Sequence, residues 1–274
     1  MLIPSEQDFA QAVALWREWN GRINVISRKD EDNIFAHHIL HSLAIAQYLE
    51  LFYPSASPSA TGKGPVSDPQ WADCTGIARP KACPEVEGNP PEGRNTRGSI
   101  AGGPSRRDGG VSPKGELPKG DYLQPKEPGT SILDVGTGGG FPGIPLAMMM
   151  PGAKFTLCDS IGKKVKVAQA VADGLGLKNV ECVNARVESL PGQWDWVVSR
   201  AVTSLENFYP WVKGRFRRSI LYLKGGDIDT EIAVLRKKYH IPTANIRTWR
   251  IDSWLKDEYF AEKFVIEIAC KALK

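Results

Sequence analysis

A glycine-rich segment contains the residues whose types and spacing point most directly to chemistry. Asp134 and Val135 lead straight into the run Gly-Thr-Gly-Gly-Gly at 136–140, and Phe-Pro-Gly follows at 141–143. Glycines at the end of a strand let backbone amides and carbonyls approach a ligand closely. We therefore expect residues 134–143 to form a ligand-binding turn. The alternative is a glycine-rich turn that binds nothing.

Two classes of ligand fit this turn. The spacing of Gly138, Gly140 and Gly143 matches the dinucleotide-binding fingerprint of NAD-dependent enzymes. In contrast, Asp134 directly before the first glycine is usual in methyltransferases, and Pro142 interrupts the helix start that would face a pyrophosphate. Asp159 would bind ribose hydroxyls in either class. The turn favours a methyl donor, and a NAD-binding oxidoreductase stays open as an alternative.

The elements that would position this turn alternate along the second half of the chain. Short apolar runs predict strands at 132–135, 154–158, 180–183, 196–199, 220–223 and 264–268, with helices at 163–175 and 229–238. This alternation implies right-handed crossovers between parallel strands. We therefore predict a Rossmann-like α/β fold, with a mostly parallel sheet and helices on both faces.

Residues 1–53 predict an N-terminal helical cap. Ser5 and Asp8 have the spacing of a capping box. Two apolar stripes at helical spacing follow, formed by Phe9, Val13 and Trp16 and then by Phe35, Ile39, Leu43 and Ala46. Trp16 and Trp19 could stack a displaced base, but the position of Trp16 on the apolar face favours a core role.

Residues 54–128 have a different composition. They hold 13 of the 20 prolines and 12 glycines, and their charges nearly cancel. Such a stretch buries too little apolar surface to offset the entropy of ordering it. We predict a disordered insertion here, with a small separate domain as the alternative, and a cofactor-binding core over 129–274.

The bulk composition leaves the partner open but excludes several classes. The net charge of +4 permits a nucleic-acid partner without requiring one. The five cysteines are scattered without a Cys-x-x-Cys pair, which argues against a zinc ribbon or a disulfide scaffold. His37 and His41 are four residues apart but have no nearby third ligand, so we expect no metal. The N-terminus does not resemble a signal peptide, and we expect a cytoplasmic protein without a membrane partner.

Several motifs together resemble one family. The run ILDVGTGGGFPGIPL at 132–146 is similar to the signature of the RsmG (GidB) methyltransferases, and so is DSIGKKV at 159–165. The segments NARVE at 184–188 and SRAV at 199–202 follow in the family's order, and WNGRIN at 19–24 and HILHSL at 38–43 resemble its N-terminal cap. The resemblance covers nearly the whole chain except the insertion.

The resemblance implies an activity and its partners. Members are class I S-adenosylmethionine-dependent methyltransferases with a seven-stranded sheet, and they modify N7 of one guanine (position 527, in the 530 loop) of bacterial 16S ribosomal RNA. The implied cofactor is S-adenosylmethionine, and the implied partner is 16S rRNA or an intermediate of the small ribosomal subunit. We expect a monomer. A methyltransferase that acts on a small molecule or a protein stays open as an alternative.

The resemblance also implies site residues. Gly136 and Phe141 would contact the cofactor at the glycine turn, and Val187 and Glu188 would lie at its adenine end. Arg200 would lie beside the reacting groups and also contact the cofactor. To these we add Asp159, which general features of such folds place at the ribose hydroxyls. His41 stands where many members carry Asp, which leaves open how the cap contacts RNA.

The chemistry that this function requires is modest. Methyl transfer from a sulfonium is an in-line displacement, so the enzyme supplies mainly alignment and an electrostatic setting. Guanine N7 has a free lone pair, and no general base is needed. Arg200 could bind a phosphate or the O6 edge of guanine through its planar donors, or it could form a structural salt bridge with Glu188. Basic residues at Lys213, Arg215, Arg217 and Arg218 predict either phosphate contacts or a solvated turn.

Overall fold

The computed structural model describes residues 3–54 and 129–273, and both ranges belong to one compact unit. Apart from Pro54, the predicted insertion lies outside the described residues, so its interpretation stays a prediction. The fold below is therefore that of the N-terminal segment and the C-terminal core.

Seven strands form one sheet, and their bounds are β1 Ser131–Val135, β2 Lys154–Asp159, β3 Val180–Asn184, β4 Trp194–Arg200, β5 Phe216–Gly225, β6 Ile246–Arg250 and β7 Lys263–Ala269. Their order is β3-β2-β1-β4-β5-β7-β6. The first five strands are parallel, and β7 runs antiparallel to both β5 and β6. This arrangement confirms the predicted fold class.

Strand β6 was not among the predicted strands. It is a short edge strand that pairs only with β7 among the described strands. Its sequence, Ile-Arg-Thr-Trp-Arg, carries two arginines among its five residues and is only partly buried. Charged residues are typical of sheet edges, where they discourage pairing with another chain. The apolar run that marks the central strands is therefore missing here.

Six α-helices accompany the sheet, and their bounds are α1 Ala10–Asn20, α2 His41–Phe52, α3 Gly143–Met149, α4 Gly162–Gly174, α5 Leu205–Val212 and α6 Ile228–Tyr239. A 3₁₀ turn, Glu6–Phe9, precedes α1. The predicted capping pair begins that turn, since the backbone N and Oγ of Ser5 donate to Asp8 Oδ2 at 2.9 and 2.7 Å. A π-helix, Ile34–Leu40, leads into α2.

The two faces of the sheet bury separate apolar cores because successive side chains of a strand point to opposite faces. On one face, Ile132, Val198 and Leu221 pack with α1, α2, α3 and α4. On the other face, neighbouring residues such as Leu133 and Val197 pack with α5 and α6. The N-terminal helices are thus part of the first core. Among the described helices, none has the length and apolar character to cross a membrane.

Candidate active site

The glycine turn follows β1 at the point where the strand order reverses. The backbone N of Gly136 and of Thr137 both donate to the Cys158 carbonyl of β2, at 2.8 and 3.1 Å. Gly136 has a φ of +71°, and a Cβ added there would lie 2.5 Å from Cγ2 of Val202. Only glycine therefore fits without strain, and the turn stays close to the segment that follows β4.

Asp134, in β1 just before the turn, accepts hydrogen bonds from two residues of the turn. Its Oδ2 accepts hydrogen bonds from Thr137 Oγ1 at 2.6 Å and from the backbone N of Gly143 at 2.8 Å. Its Oδ1 is buried without a partner among the described residues. Burial raises the pKa of Asp134 to about 7, against the two hydrogen bonds, which lower it. The residue that marks the motif in the sequence therefore holds the shape of the turn.

The N-terminal cap holds the same turn from the opposite side. Trp16 of α1 is fully buried, and its Nε1 donates to the Gly139 carbonyl at 2.7 Å. Its ring stacks on Phe141 with 4.2 Å between centroids. A Cβ on Gly139 would lie 2.8 Å from Cγ2 of Val25. The predicted core role of Trp16 is confirmed, and this core includes the ligand turn.

A cavity of about 380 Å³ lies at the carboxyl ends of the parallel strands. Five of the predicted site residues line it, although they come from four separate segments: Gly136, Asp159, Val187, Glu188 and Arg200. Its position next to β1 and β4 is the switch point where doubly wound folds bind ligands. Its volume lies within the range of small-molecule sites.

Phe141 has a different position from the other predicted site residues. It does not line the cavity, and only 3% of its surface is exposed. Its ring lies against Trp16 and 5.1 Å from the Arg200 guanidinium carbon. A direct contact between Phe141 and a cofactor stays a prediction; in this structure the ring supports Arg200.

Asp159 ends β2 with its carboxylate held in place. Its Oδ1 accepts from the backbone N of Ile161 at 2.8 Å, and its Oδ2 accepts from the backbone N of Gly138 at 3.0 Å. Asn184 at the end of β3 donates to the Asp159 carbonyl at 2.9 Å. A carboxylate oxygen has the capacity for more than one hydrogen bond, so both oxygens can also accept from ligand hydroxyls.

Further residues line the cavity that the sequence analysis did not assign to it: Val135, Cys158, Ser160, Ile161, Lys164, Ala185, Arg186, Ala201, Val202 and Trp211. Most of them belong to the motifs at 132–146, 159–165, 184–188 and 199–202, and Cys158 directly precedes one of these, so the motif boundaries contained the signal. Trp211 is the exception. It lies in α5, and nothing in its sequence context indicated a place in this wall.

The segment after Arg200 is fixed by a residue that sequence reasoning missed. Ala201 has a φ of +47°, unusual for a residue with a side chain. The buried hydroxyl of Tyr222 accepts from the backbone N of Val202 and of Thr203, at 3.0 and 3.1 Å, and donates to the Thr203 carbonyl at 2.8 Å. Tyr222 therefore holds this lip of the cavity in one conformation.

The side chain of Arg200 forms hydrogen bonds with the N-terminal cap and does not form the predicted alternative, a salt bridge with Glu188. Its Nη2 donates to Nδ1 of His38 at 2.9 Å, and its Nη1 donates to the His37 carbonyl at 3.4 Å. Burial lowers the pKa of Arg200, while the nearby Tyr259, Asp134 and Asp30 raise it. Because a guanidinium remains charged in proteins, Arg200 is a cation in the wall of the cavity.

The predicted basic cluster lies by the amino end of β5, away from the carboxyl edge where the cavity opens. Arg215 donates to the backbone carbonyls of Glu188 (2.6 Å) and Leu190. Arg217 pairs with Asp195 at 3.3 Å, and Arg218 lies over the ring of Trp196. Arg215 therefore has a structural role that the sequence did not indicate.

The histidines of the cap contact an aromatic residue near the end of the chain. The His37 ring stacks on Tyr259 with 3.6 Å between centroids, and His41 meets the same ring edge-on at 6.2 Å. His41 is buried, and neither ring nitrogen has a partner within the described ranges. Burial, with Arg200 and Lys263 nearby, lowers the pKa of His41 well below its usual value. Residues 3–54 and 129–273 contain no group of three or more potential metal ligands.

Comparison with known proteins places this site in a family. The profile described as GidB, rRNA small subunit methyltransferase G, matches residues 119–250. The ribosomal RNA small subunit methyltransferase G of Christiangramia forsetii is 34% identical over a 271-residue alignment that covers 96% of this chain and 89% of that protein. The chain belongs to the ribosomal RNA small subunit methyltransferase G family. The resemblance found in the sequence is confirmed.

Other members and solved structures are also similar. The methyltransferase G of Porphyromonas gingivalis is 33% identical over 269 residues, covering 95% of this chain and 85% of that protein. Among solved structures, a SAM-dependent methyltransferase from Aquifex aeolicus aligns at 21% identity with a TM-score of 0.39, covering 52% of this chain and 82% of that one.

The cavity of this methyltransferase G family member fits the cofactor that its sequence predicts. An adenosyl group needs acceptors for its ribose hydroxyls and an apolar slot for its base, and a methionine carboxylate needs a cation. Asp159 offers carboxylate oxygens, Ile161 and Val187 offer apolar surface, and Arg200 offers the cation in the same cavity. The groups that line the cavity therefore suit S-adenosylmethionine.

Proposed function

We propose that this protein transfers a methyl group from S-adenosylmethionine to N7 of a guanine (position 527) in the 530 loop of 16S ribosomal RNA. The observation that carries the proposal is the convergence of Gly136, Asp159, Val187, Glu188 and Arg200 on one cavity at the switch point of the sheet. Residues predicted from separate motifs share a wall there. Family membership supplies the substrate class.

The proposed placement of the cofactor follows the chemistry of the wall. Asp159 accepts hydrogen bonds from the ribose hydroxyls. Val187, with 5% of its surface exposed, and the more exposed Ile161 bracket the adenine ring. Among the residues that the structure describes, Arg200 has hydrogen-bond partners for only two of its five N–H groups, so donors remain for the methionine carboxylate.

The remaining chemistry needs little from the protein. When bound, S-adenosylmethionine supplies an electrophilic methyl group on a sulfonium. The lone pair of guanine N7 would form the new bond to the methyl carbon as the bond from that carbon to sulfur breaks, and neutral S-adenosylhomocysteine would leave. N7 loses no proton in this step, so the site needs no general base. The residues at the end of β4 and directly after it, Ser199-Arg200-Ala201, offer none. The protein's contribution is alignment of the base with the methyl group.

Arg200 acts in this scheme by orientation. A cation does not stabilise the positive charge that develops on a guanine methylated at N7. A guanidinium can instead donate to the O6 edge next to N7, or to the methionine carboxylate, and so fix the direction of attack. The target guanine must be unpaired or displaced, because N7 of paired RNA lies in a deep, narrow groove.

We also propose that the protein acts as a monomer in the cytoplasm, on 16S rRNA or an assembly intermediate of the small subunit. Sedimentation of the purified chain at micromolar concentration tests the first part. A stable dimer would contradict it.

The function is tested with purified protein, methyl-labelled S-adenosylmethionine and small-subunit RNA, followed by mass mapping of the labelled nucleotide. We expect one labelled N7-methylguanine in the 530 loop. Asp159→Ala should weaken binding of S-adenosylmethionine by roughly 10-fold or more, as expected for loss of a charge-assisted hydrogen bond. The control is Asp229→Ala, at an exposed position in the first turn of α6. Binding of NADH without S-adenosylmethionine, or label on protein only, would overturn the proposal.

A further inference from the structure

A single carboxylate in the cap bridges two adjacent histidines. Oδ1 of Asp30 lies 2.5 Å from Nδ1 of His37, and its Oδ2 lies 2.6 Å from Nε2 of His38. The side chains of Asp30 and His38 are mostly buried, with 25% and 12% of their surface exposed. Both histidines lie in the π-helix that precedes α2. Such wide turns are rare and are often found at functional sites.

His38, the second of these histidines, also contacts Arg200 at the end of β4. Nδ1 of His38 accepts from Arg200 Nη2 at 2.9 Å across 162 residues of sequence. The His37 carbonyl accepts a second, longer hydrogen bond from Nη1 at 3.4 Å. Phe141 packs against both groups, with its centroid 5.1 Å from the Arg200 guanidinium carbon and 5.2 Å from the His38 ring. The guanidinium is thus held by two hydrogen bonds and by an aromatic face.

One protonation state of His38 satisfies all of these contacts. Arg200 can only donate, so Nδ1 of His38 must be the unprotonated nitrogen. Nε2 then carries the proton and donates it to the Asp30 carboxylate. Burial, followed by the charge of Arg200, lowers the pKa of His38 to about 4, and a neutral ring at neutral pH agrees with the geometry. The sequence Asp30, His38, Arg200 is a directed relay of hydrogen bonds.

This relay decides which donors of Arg200 face the cavity. A guanidinium is planar, so fixing two of its N–H groups on the cap side also fixes the plane of the other three. Within the described part of the chain, the hydrogen bonds of the Arg200 side chain go to His37 and His38, and none goes to Glu188 or Asp159 on the cavity side. Without His38, the long side chain is free to adopt other rotamers.

We propose that Asp30 and His38 are positioning residues that orient Arg200 for methyl transfer, so that the reaction depends on the docked N-terminal cap. The proposal rests on the proposed function, since it names residues that act through Arg200 at that site. Asp30 and His38 touch neither the cofactor nor the base; they set the direction of the Arg200 donors.

A pair of substitutions separates positioning from packing. In His38→Asn the amide occupies the place of Nδ1 and can still accept from Arg200. In His38→Gln the amide occupies the place of Nε2, so it reaches Asp30 but not Arg200. We expect the single-turnover methyl-transfer rate on small-subunit RNA to fall about 10- to 100-fold in His38→Gln, as misplacement of a catalytic group predicts. The fall should be several-fold smaller in His38→Asn, which keeps the contact to Arg200 and loses only the one to Asp30.

The controls isolate this effect. Melting temperature verifies folding of both variants, and His240→Asn, at an exposed position with left-handed backbone, is the matched control elsewhere in the chain. Equal rates in His38→Gln and His38→Asn would overturn the proposal. If instead the unaltered protein does not methylate the RNA at all, the proposed function has failed.

A spectroscopic readout tests the relay without any activity. The ¹⁵N chemical shifts of His38 should show a proton on Nε2 and none on Nδ1 at neutral pH in the full-length protein. In Arg200→Lys, the Nδ1 shift should move while the Nε2 proton stays bonded to Asp30. A proton on Nδ1 of His38 in the unaltered protein would overturn the proposal directly, because that nitrogen could not accept from Arg200.

Discussion

The glycine turn has two sides that differ in how they are built. The side that faces the cavity is lined by residues at successive strand ends, such as Gly136, Asp159 and Arg200. The side that faces the cap is held by contacts across long stretches of sequence, 123 residues for Trp16 to Gly139 and 162 for His38 to Arg200. The topology of a parallel sheet brings strand ends together, whereas each cap contact depends on individual side chains.

This difference predicts that the cap side contributes mainly to stability and the cavity side mainly to ligand binding. The cap side buries large aromatic rings and satisfies the backbone of the turn, so changes there should alter stability first. The cavity side carries partly exposed polar groups, so changes there should alter ligand binding first. Arg200 contacts both sides, and we expect its variants to share both effects.

The largest expected effect is on the cap side. Trp16→Ala removes a fully buried ring and its hydrogen bond to the Gly139 carbonyl, and should lower the free energy of unfolding by about 3–5 kcal/mol. Chemical denaturation measures it. Trp16→Phe keeps most of the ring and should recover all but the hydrogen bond, worth about 1 kcal/mol. A loss below ~1 kcal/mol in Trp16→Ala would show that the cap does not hold the turn.

The second prediction concerns the pH dependence of stability at Asp134. Its pKa rises from 3.8 to about 7 on folding, so the folded state binds this proton more tightly. The contribution is fully present below pH 3.8 and is lost as the pH rises through 7, at most about 4 kcal/mol in all. Asp134→Asn should remove this fall.

The measurement is the difference between the two stability-pH curves, because other groups titrate in the same window. The pKa of His38 is lowered from 6.5 to about 4, so its contribution has the opposite sign and is lost as the pH falls. The contribution of His38 is the same in both proteins and cancels in the difference between the two curves. Parallel curves between pH 4 and 7 would contradict the assignment of Asp134.

Much of the cavity side could be predicted from sequence. The strands at 132–135 and 154–158 followed from apolar runs, and Asp159 followed from its place at the end of a strand. Val187 and Arg200 were implied by the family resemblance. The relay from Asp30 through His38 could not, because nothing in the spacing of a histidine pair indicates which strand end it will meet. Strand β6 was missed because two of its five residues are arginines, so it lacks the apolar run of a core strand.

A third, smaller effect on stability is expected at Gly136, which lies in the turn between the two sides. Gly136→Ala places a Cβ near Val202 and also strains a left-handed φ, which together cost about 1–3 kcal/mol. Binding of S-adenosylmethionine, measured by calorimetry, should weaken. Adding Val202→Ala should relieve the contact but not the backbone strain, so recovery should be partial. Complete recovery would show that strain in the turn plays no part.

The smallest effect should come from residues 54–128, which lie in the sequence between the N-terminal cap and the cofactor-binding core. The composition of residues 54–128 predicts that replacing 56–126 with a short linker changes the free energy of unfolding by less than about 1 kcal/mol, since loop length has a weak effect on stability. Thermal unfolding of the shortened chain measures this. A large drop in melting temperature would show that the segment contributes to the fold.

Mass mapping of 16S ribosomal RNA from cells that lack the gene decides whether this protein methylates N7 of a guanine in the 530 loop. We expect N7 methylation of one guanine in the 530 loop to be absent in those cells. It should return with an unaltered copy of the gene and stay strongly reduced with Asp159→Ala or Arg200→Ala. Persistence of the methyl group in cells without the gene would contradict the proposed function.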